Sequence, residues 1–155
     1  METNNQAFSI PLPQAVADAL SALENAGYEA FIVGGCVRDA LLGREPKDYD
    51  ITTSALPEEV ERVFCRNRVI ETGLRHGTVT VLSCGEPLEI TTYRTDGDYS
   101  DHRHPDGVTF TRTLTEDLAR RDFTVNAMAY SPDVGLINPF GGLNDLHEKR
   151  LRCVG

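Results

Sequence analysis

The chain has 155 residues, with 15 Lys and Arg against 24 Asp and Glu, so its net charge is −9 at pH 7. This length predicts a single domain, and the 40% hydrophobic and 25% charged residues exclude an intrinsically disordered protein. With no run of about 18 apolar residues, the sequence predicts no membrane-spanning helix. The acidic balance also argues against nonspecific binding of nucleic acid by this chain alone.

The cysteines and the first residues indicate the compartment. Cys36, Cys65, Cys84 and Cys153 form no C-x-x-C pair, and their spacing matches no zinc motif. We therefore expect reduced and mostly buried thiols. The first residues lack the basic start and apolar block of a signal peptide, and together these features predict a cytoplasmic protein.

The first half of the chain contains helical and strand-like patterns in alternation. Residues 1–10 are predicted as a tail. Apolar residues recur at helical spacing over 11–26, and Gly27 follows as the expected C-terminal stop. The remaining predicted elements of this half are a buried strand over 28–33 that Gly34-Gly35 breaks, a short helix from Val37 that Gly43 stops, a strand over 48–52, and a helix that opens at Ser54-Ala-Leu-Pro57 and runs to about Cys65.

The second half is richer in strands. The predicted elements are strands over 68–72, 77–83 and 87–94 with a hairpin turn at Gly85-Glu86, a mobile loop over 95–106, a strand over 108–112, a helix from Thr115 through Tyr130, a strand over 135–137, a turn over 138–142, and a last helix from about Leu143. Hairpins among helices indicate an α+β fold with a mixed, mostly antiparallel sheet flanked by helices.

Two closely spaced carboxylates are the first candidate for chemistry. Asp48 and Asp50 lie at i and i+2 of a predicted strand, so both side chains would project from one face about 6.6 Å apart along the chain. Such carboxylates repel each other, and Mg²⁺ (or Mn²⁺) held with substrate phosphates would relieve the repulsion. The alternative is a solvated pair at a strand edge. If the strand around Glu89 is adjacent, Glu89 could complete a three-carboxylate site for two metal ions.

The glycine pair Gly34-Gly35 lies between a predicted buried strand and a short helix. It matches neither a dinucleotide-binding motif nor a P-loop, but glycines still allow the backbone to approach phosphate closely. Arg38, one helical turn later, could add a charged donor, and Asp39 could orient it. The alternative is a strand–helix turn with a surface ion pair.

Taken together, these motifs resemble class II tRNA nucleotidyltransferases and bacterial poly(A) polymerases, of the polymerase-β-like superfamily. The similarity extends over about residues 28–155. The segments that carry it, in family order, are GGCVRDALLG at 34–43, DYD at 48–50, GTVT at 77–80, EITTYR at 89–94, DLARRDFTVNAMAY at 117–130 and PFGG at 139–142. One departure is Asn138, where the family usually has Asp.

The resemblance implies roles for individual residues. Asp48, Asp50 and Glu89 would be the catalytic, metal-binding carboxylates, and Gly34, Gly35 and Arg38 would contact the triphosphate. Arg120, Arg121, Asp122 and Asn126 would recognise the ribose and phosphates. Arginine offers fork-shaped phosphate donors and Asp122 can accept from a 2′-hydroxyl, although an ion-paired helix end would also explain this sequence.

The resemblance also implies a domain order and a reaction. Residues 11–139 would form the nucleotidyltransferase head and 140–155 the hinge and start of a neck, with the further domains that grip tRNA and select the base absent. The implied enzyme uses CTP and ATP to extend the tRNA 3′ end and releases pyrophosphate. The alternatives are a poly(A) polymerase head or a non-catalytic nucleotide- or RNA-binding module. No oligomeric state is predicted.

Overall fold

The computed structural model describes residues 3–4, 9–73, 77–83, 85–96 and 108–154. Within these ranges, none of the helices combines the length and the apolar character needed to cross a membrane.

Ten strands and five α-helices make up the described fold. The helices are α1 (Gln14–Asn25), α2 (Gly35–Leu41), α3 (Pro57–Val63), α4 (Leu114–Ala119) and α5 (Gly142–His147), with a short 3-10 helix at Thr124–Asn126. The strands are β1 (Thr3–Asn4), β2 (Ala30–Val33), β3 (Asp50–Thr53), β4 (Arg68–Gly73), β5 (Thr78–Ser83), β6 (Glu86–Thr92), β7 (Arg94–Asp96), β8 (Val108–Phe110), β9 (Ala129–Ser131) and β10 (Gly135–Ile137).

Eight of the strands form one sheet in the order β1-β10-β9-β2-β3-β6-β5-β4, while β7 and β8 pair separately. Only the β3–β6 pair is parallel, and all other described pairs are antiparallel. The predicted α+β fold with a mixed, mostly antiparallel sheet is therefore confirmed. The parallel pair matters for the site, because it brings the starts of two strands that are distant in sequence to the same edge.

Apolar residues cover both faces of the central strands. On β2, Ile32 belongs to a cluster with residues of α1, whereas Phe31 and Val33 belong to a second cluster with Leu118 of α4. Successive side chains of a strand point to opposite faces, which explains why neighbouring residues enter different clusters. The larger cluster includes the α1 side chains Val16, Leu20 and Leu23 and the strand residues Ile51, Val79, Val81 and Ile90.

A predicted helix and a predicted strand differ from the structure. The helix predicted from Thr115 through Tyr130 is wrong beyond Ala119, because residues 129–131 form β9, which pairs with β2. The pairing of β9 with a buried strand outweighs the helical pattern of this apolar segment. The strand predicted over 48–52 begins only at Asp50, so Asp48 precedes it.

Within the segment predicted as an N-terminal tail, Thr3–Asn4 pairs with β10. Of the predicted 95–106 loop, Thr95 and Asp96 belong to β7, and the remainder lies outside the described residues.

The described cysteines are free thiols, of which Cys36 is buried. The expectation of mostly buried thiols is wrong for Cys65 and Cys153, which are exposed. Cys84 lies outside the described residues.

Candidate active site

Two cavities meet at the start of β3, and Asp50 lines both of them. One has a volume of about 420 Å³ and the other about 410 Å³. The first is lined by Asp48, Tyr49, Asp50, Thr80, Pro87 and Glu89. The second is lined by Gly34, Gly35, Arg38, Asp50, Arg120, Arg121, Asp122 and Asn126. All ten residues that the sequence predicts for the site therefore line one or both of these cavities.

The first cavity is anionic because strand register brings carboxylates together. Asp50 of β3 lies directly opposite Glu89 of β6, and Thr80 of β5 lies opposite Glu89 on the other side. Asp48 joins them from the extended segment before β3. Residues opposite each other on neighbouring strands project from the same face, so this alignment follows from the β3–β6 pairing.

The environment of Asp50 disfavours its charged form. Partial burial raises the pKa of the Asp50 carboxyl above its usual range, and the negative charge of Glu89 raises it further. Arg121 acts in the opposite direction, and Asp48 adds a smaller repulsion. A cation in this cavity would favour the ionised carboxylate for the same electrostatic reason.

A divalent cation fits these carboxylates only with help from other ligands. Asp48, Asp50 and Glu89 all line the same cavity. However, no group of three His, Cys, Asp or Glu side chains among the described residues could hold a metal by itself. This arrangement suits Mg²⁺, which usually takes one or two carboxylates together with substrate phosphates and water. The predicted three-carboxylate site stays a prediction.

The second cavity is bounded by the glycine turn between β2 and α2. Gly34 has φ +81°, a conformation that residues with side chains rarely adopt, and it precedes α2. A methyl group added to Gly34 would lie 3.4 Å from Nη1 of Arg121, and one added to Gly35 would lie 3.3 Å from Nη2 of Arg38. The two glycines therefore allow two guanidinium groups to approach the backbone of the turn.

Neighbouring side chains orient Arg38 within this cavity. Its Nε donates to Oδ1 of Asp39 at 3.1 Å, as the sequence predicts, and its Nη1 donates to Oδ1 of Asn126 at 2.8 Å. Asn126 ends the 3-10 helix, so this second bond joins α2 to that helix. Two directed bonds restrict the guanidinium to one orientation, with Nη2 next to Gly35.

Arg120 and Arg121 follow α4 and share one buried partner, Asp117, that the sequence analysis missed. The distance from Asp117 Oδ2 to Nη2 of Arg121 is 3.5 Å, and that from Oδ1 to Nε of Arg120 is 3.6 Å. Burial lowers the pKa of Arg121, whereas Asp117 and Asp50 raise it and Arg120 lowers it. No sequence pattern distinguishes a buried Asp from a solvated one, but the i+3 and i+4 spacing to two arginines was a usable signal.

Asp122 and Asn126 complete the cavity wall. Asp122 is exposed, and its Oδ1 accepts a hydrogen bond from the backbone N–H of Phe123 at 2.8 Å. Its second oxygen accepts no hydrogen bond from another described residue, so it can bind a ligand hydroxyl. The cavity thus combines three guanidinium groups with two carboxylates, Asp50 and Asp122.

The opposite charges of the two cavities define what the arrangement can do. Arginines next to a glycine turn bind phosphate groups, and clustered carboxylates bind a divalent cation. Because Asp50 lines both cavities, a metal held there would lie beside bound phosphates. These groups fit the transfer of a phosphoryl or nucleotidyl group in the presence of a divalent metal.

Comparison with known proteins agrees with this interpretation. Residues 30–152 match the family described as the Poly A polymerase head domain. The chain is 51% identical to the CCA-adding enzyme of Leuconostoc citreum over 93% of its own length and 36% of that protein. It is 50% identical to the CCA-adding enzyme of Lactobacillus johnsonii over its whole length and 38% of that protein. The chain therefore spans little more than a third of these relatives.

Solved structures show the same fold. The Bacillus stearothermophilus CCA-adding enzyme in complex with CTP matches with a TM-score of 0.81 and 44% identity, over 92% of this chain and 33% of that one. The Thermotoga maritima CCA-adding enzyme complexed with tRNA(CCA) matches with a TM-score of 0.72 and 26% identity, over 95% of this chain and 34% of that one.

Proposed function

Because the chain belongs to the Poly A polymerase head domain family, we propose that it is the catalytic head of a cytoplasmic nucleotidyltransferase. The enzyme would transfer nucleotides from CTP and ATP to the 3′ end of tRNA. Relatives that are about 50% identical are CCA-adding enzymes, which supports tRNA as the substrate. The arrangement that carries the proposal is the pair of oppositely charged cavities with Asp50 in both.

The cationic cavity would bind the nucleotide. Arg38, Arg120 and Arg121 would contact the triphosphate, and the turn at Gly34 and Gly35 would leave room for it. Arginine suits this role because its planar fork pairs with two phosphate oxygens at once. The free carboxylate oxygen of Asp122 would accept a hydrogen bond from the ribose 2′-hydroxyl, which favours ribonucleotides.

The anionic cavity would bind Mg²⁺ (or Mn²⁺) through Asp50 and Glu89, with Asp48 beside them. When bound, the metal would lower the pKa of the attacking hydroxyl and neutralise charge on the phosphates. The terminal 3′-hydroxyl of the RNA would lose its proton and form a bond to the α-phosphorus. The bond between that phosphorus and the bridging oxygen would break, and pyrophosphate would leave.

A poly(A) polymerase head is the second candidate function, because the matching family is described by that activity. It would share the same two cavities and differ in the RNA and nucleotide that it uses. With a net charge of −9, these residues alone are poorly suited to grip a long RNA. We therefore propose that protein outside this chain makes most of the contacts with RNA. The chain spans only about a third of each relative, which is consistent with this proposal.

A primer-extension assay separates these functions. The chain, in excess over radiolabelled tRNA that lacks its CCA end, is incubated with Mg²⁺ and CTP, ATP or both, and CTP binding is measured in parallel. The proposal predicts CTP binding and the addition of at most three nucleotides, both weakened in Asp50→Asn. A long ladder of A on an unrelated RNA would support the second candidate. Absence of both CTP binding and addition would contradict both functions.

A further inference from the structure

Asp117 is a buried carboxylate behind the cationic cavity, and it does not line that cavity. Its relative exposure is 0%, although it lies in the six-residue helix α4 at the protein surface. A buried carboxylate is strongly disfavoured unless cations and hydrogen-bond donors compensate for its lost hydration. The partners of Asp117 therefore indicate why a charge is tolerated at this position.

Both oxygens of Asp117 are fully used. Oδ1 accepts from the backbone N–H of Arg94 at 3.0 Å and lies 3.6 Å from Nε of Arg120. Oδ2 accepts from Oγ1 of Thr52 at 3.2 Å and from Nη2 of Arg121 at 3.5 Å. One carboxylate thus contacts both arginines, the start of β7, and β3 two residues beyond Asp50.

These contacts compensate for an unfavourable arrangement of charge. Arg120 and Arg121 are adjacent, and the positive charge of Arg120 lowers the pKa of Arg121. The Nε atom of each is buried without a hydrogen-bond partner among the described residues. Asp117 is the only carboxylate that forms an ion pair with either of them in the described part of the chain. Without its charge the two guanidinium groups would repel each other and turn toward solvent.

We propose that Asp117 is a positioning residue for triphosphate binding, holding Arg120 and Arg121 in the cationic cavity and in fixed relation to Asp50. It would act through the arginines and contact neither substrate nor metal. The inference rests on the proposed function, because it requires that the cavity bind phosphates. A carboxylate joined to β3 through Thr52 would keep the phosphates in register with the anionic cavity.

The test is calorimetric titration of CTP and of pyrophosphate, with Mg²⁺, into the 155-residue chain and its variants. Asp117→Asn should weaken the binding of both ligands at least tenfold, because it removes the negative charge of the side chain and keeps its shape. The matched control is Asp145→Asn. Asp145 is another buried carboxylate, bonded to Thr124 and Arg152, and it lines neither cavity. The control should lower stability but change either affinity by less than threefold, because the Asn side chain can still accept the hydrogen bond from Thr124 and so keep Thr124 in place.

A double-mutant cycle distinguishes positioning from general destabilisation. In a chain that already carries Arg121→Ala, Asp117→Asn should cause a much smaller further loss of CTP affinity than it causes in the wild type. The reason is that both substitutions remove the same interaction, the one between Asp117 and Arg121. If the factors by which the two substitutions weaken CTP affinity simply multiply in the double variant, the proposal is overturned. Equal losses of CTP affinity in Asp117→Asn and Asp145→Asn would also overturn it. If wild-type protein binds no CTP, the proposed function fails instead.

A milder variant covers the case in which Asp117→Asn does not fold. Thr52→Val removes one hydrogen bond to Asp117 and keeps every charge and nearly the same shape. Thr52→Val should weaken CTP binding about threefold and shift the NMR signals of the Arg120 and Arg121 Nε–H groups. Unchanged CTP affinity and unchanged arginine signals in this variant would overturn the proposal.

Discussion

Gly142, the first residue of α5, packs against the backbone of the 3-10 helix. A methyl group added there would lie 2.1 Å from the carbonyl oxygen of Thr124, which is 1.3 Å closer than the 3.4 Å at which ordinary contact begins. Replacing Gly with Ala within a helix is normally favourable by about 0.5–1 kcal/mol. Here the clash is with backbone, so the cost should lie near the upper end of overpacking, about 3 kcal/mol.

The net prediction for Gly142→Ala is therefore a loss of about 2 kcal/mol, which for a domain of this size lowers Tm by about 4–8 °C. Displacement of Thr124 should also disturb Asn126 and its 2.8 Å bond to Arg38, so CTP should bind more weakly. The measurements are thermal unfolding by circular dichroism and calorimetric titration of CTP.

Asn144→Ala is the matched control, because Asn144 is an exposed residue of the same helix. It should leave Tm unchanged or slightly higher, since alanine has the greater helix propensity. If Gly142→Ala behaves like this control, the packing of α5 against the 3-10 helix is not as tight as described.

Two further predictions concern charge. Burial and the nearby Asp133 raise the pKa of Glu24 to about 7 from its ordinary 4.5, so its contribution to stability is full below about pH 4.5 and is lost as pH rises through about 7. As pH rises from 5 to 8, the Tm of Glu24→Gln should therefore rise relative to the Tm of the wild type. Tm curves that stay parallel over this range would refute the prediction. Arg38→Lys cannot keep both the Asp39 and the Asn126 bonds, so CTP affinity should fall about tenfold, equivalent to 1.4 kcal/mol; calorimetry showing no change would contradict the role of that geometry.

The sequence predicted which residues line the two cavities better than it predicted the elements that carry them. The role considered for Glu89 was conditional on its strand being adjacent to that of Asp50, and the β3–β6 register meets this condition. This role could be considered because the strand around Glu89 alternates polar and apolar residues, so its exposed face was evident. The sequence predicted Asp48 in the same strand, but that strand begins at Asp50, since the segment before it pairs with no strand in the described part of the chain.

Other features depend on tertiary contacts that no local pattern reveals. The segment 127–130 is short and apolar, which is compatible with a helix or a buried strand. Only its pairing with β2 decides between the two. Gly142 is similar, because the sequence predicted only a turn there, whereas in the structure it begins α5 and closely approaches Thr124. Asp117 was visible in the sequence, yet its burial follows from how α4 packs on β3 and β7.

The central claim is that Asp50 and Glu89 hold a divalent metal beside the phosphates bound by the arginines. Its most direct test is the affinity of CTP, measured by calorimetry with Mg²⁺ and with EDTA, for the wild type and for Asp50→Asn/Glu89→Gln. Because burial and the charge of Glu89 both disfavour the charged form of Asp50, the variant should fold at least as stably as the wild type. If Asp50 and Glu89 hold the metal as proposed, Mg²⁺ strengthens CTP binding to the wild type and has little effect on the variant. An equal Mg²⁺ effect in both proteins would contradict the claim.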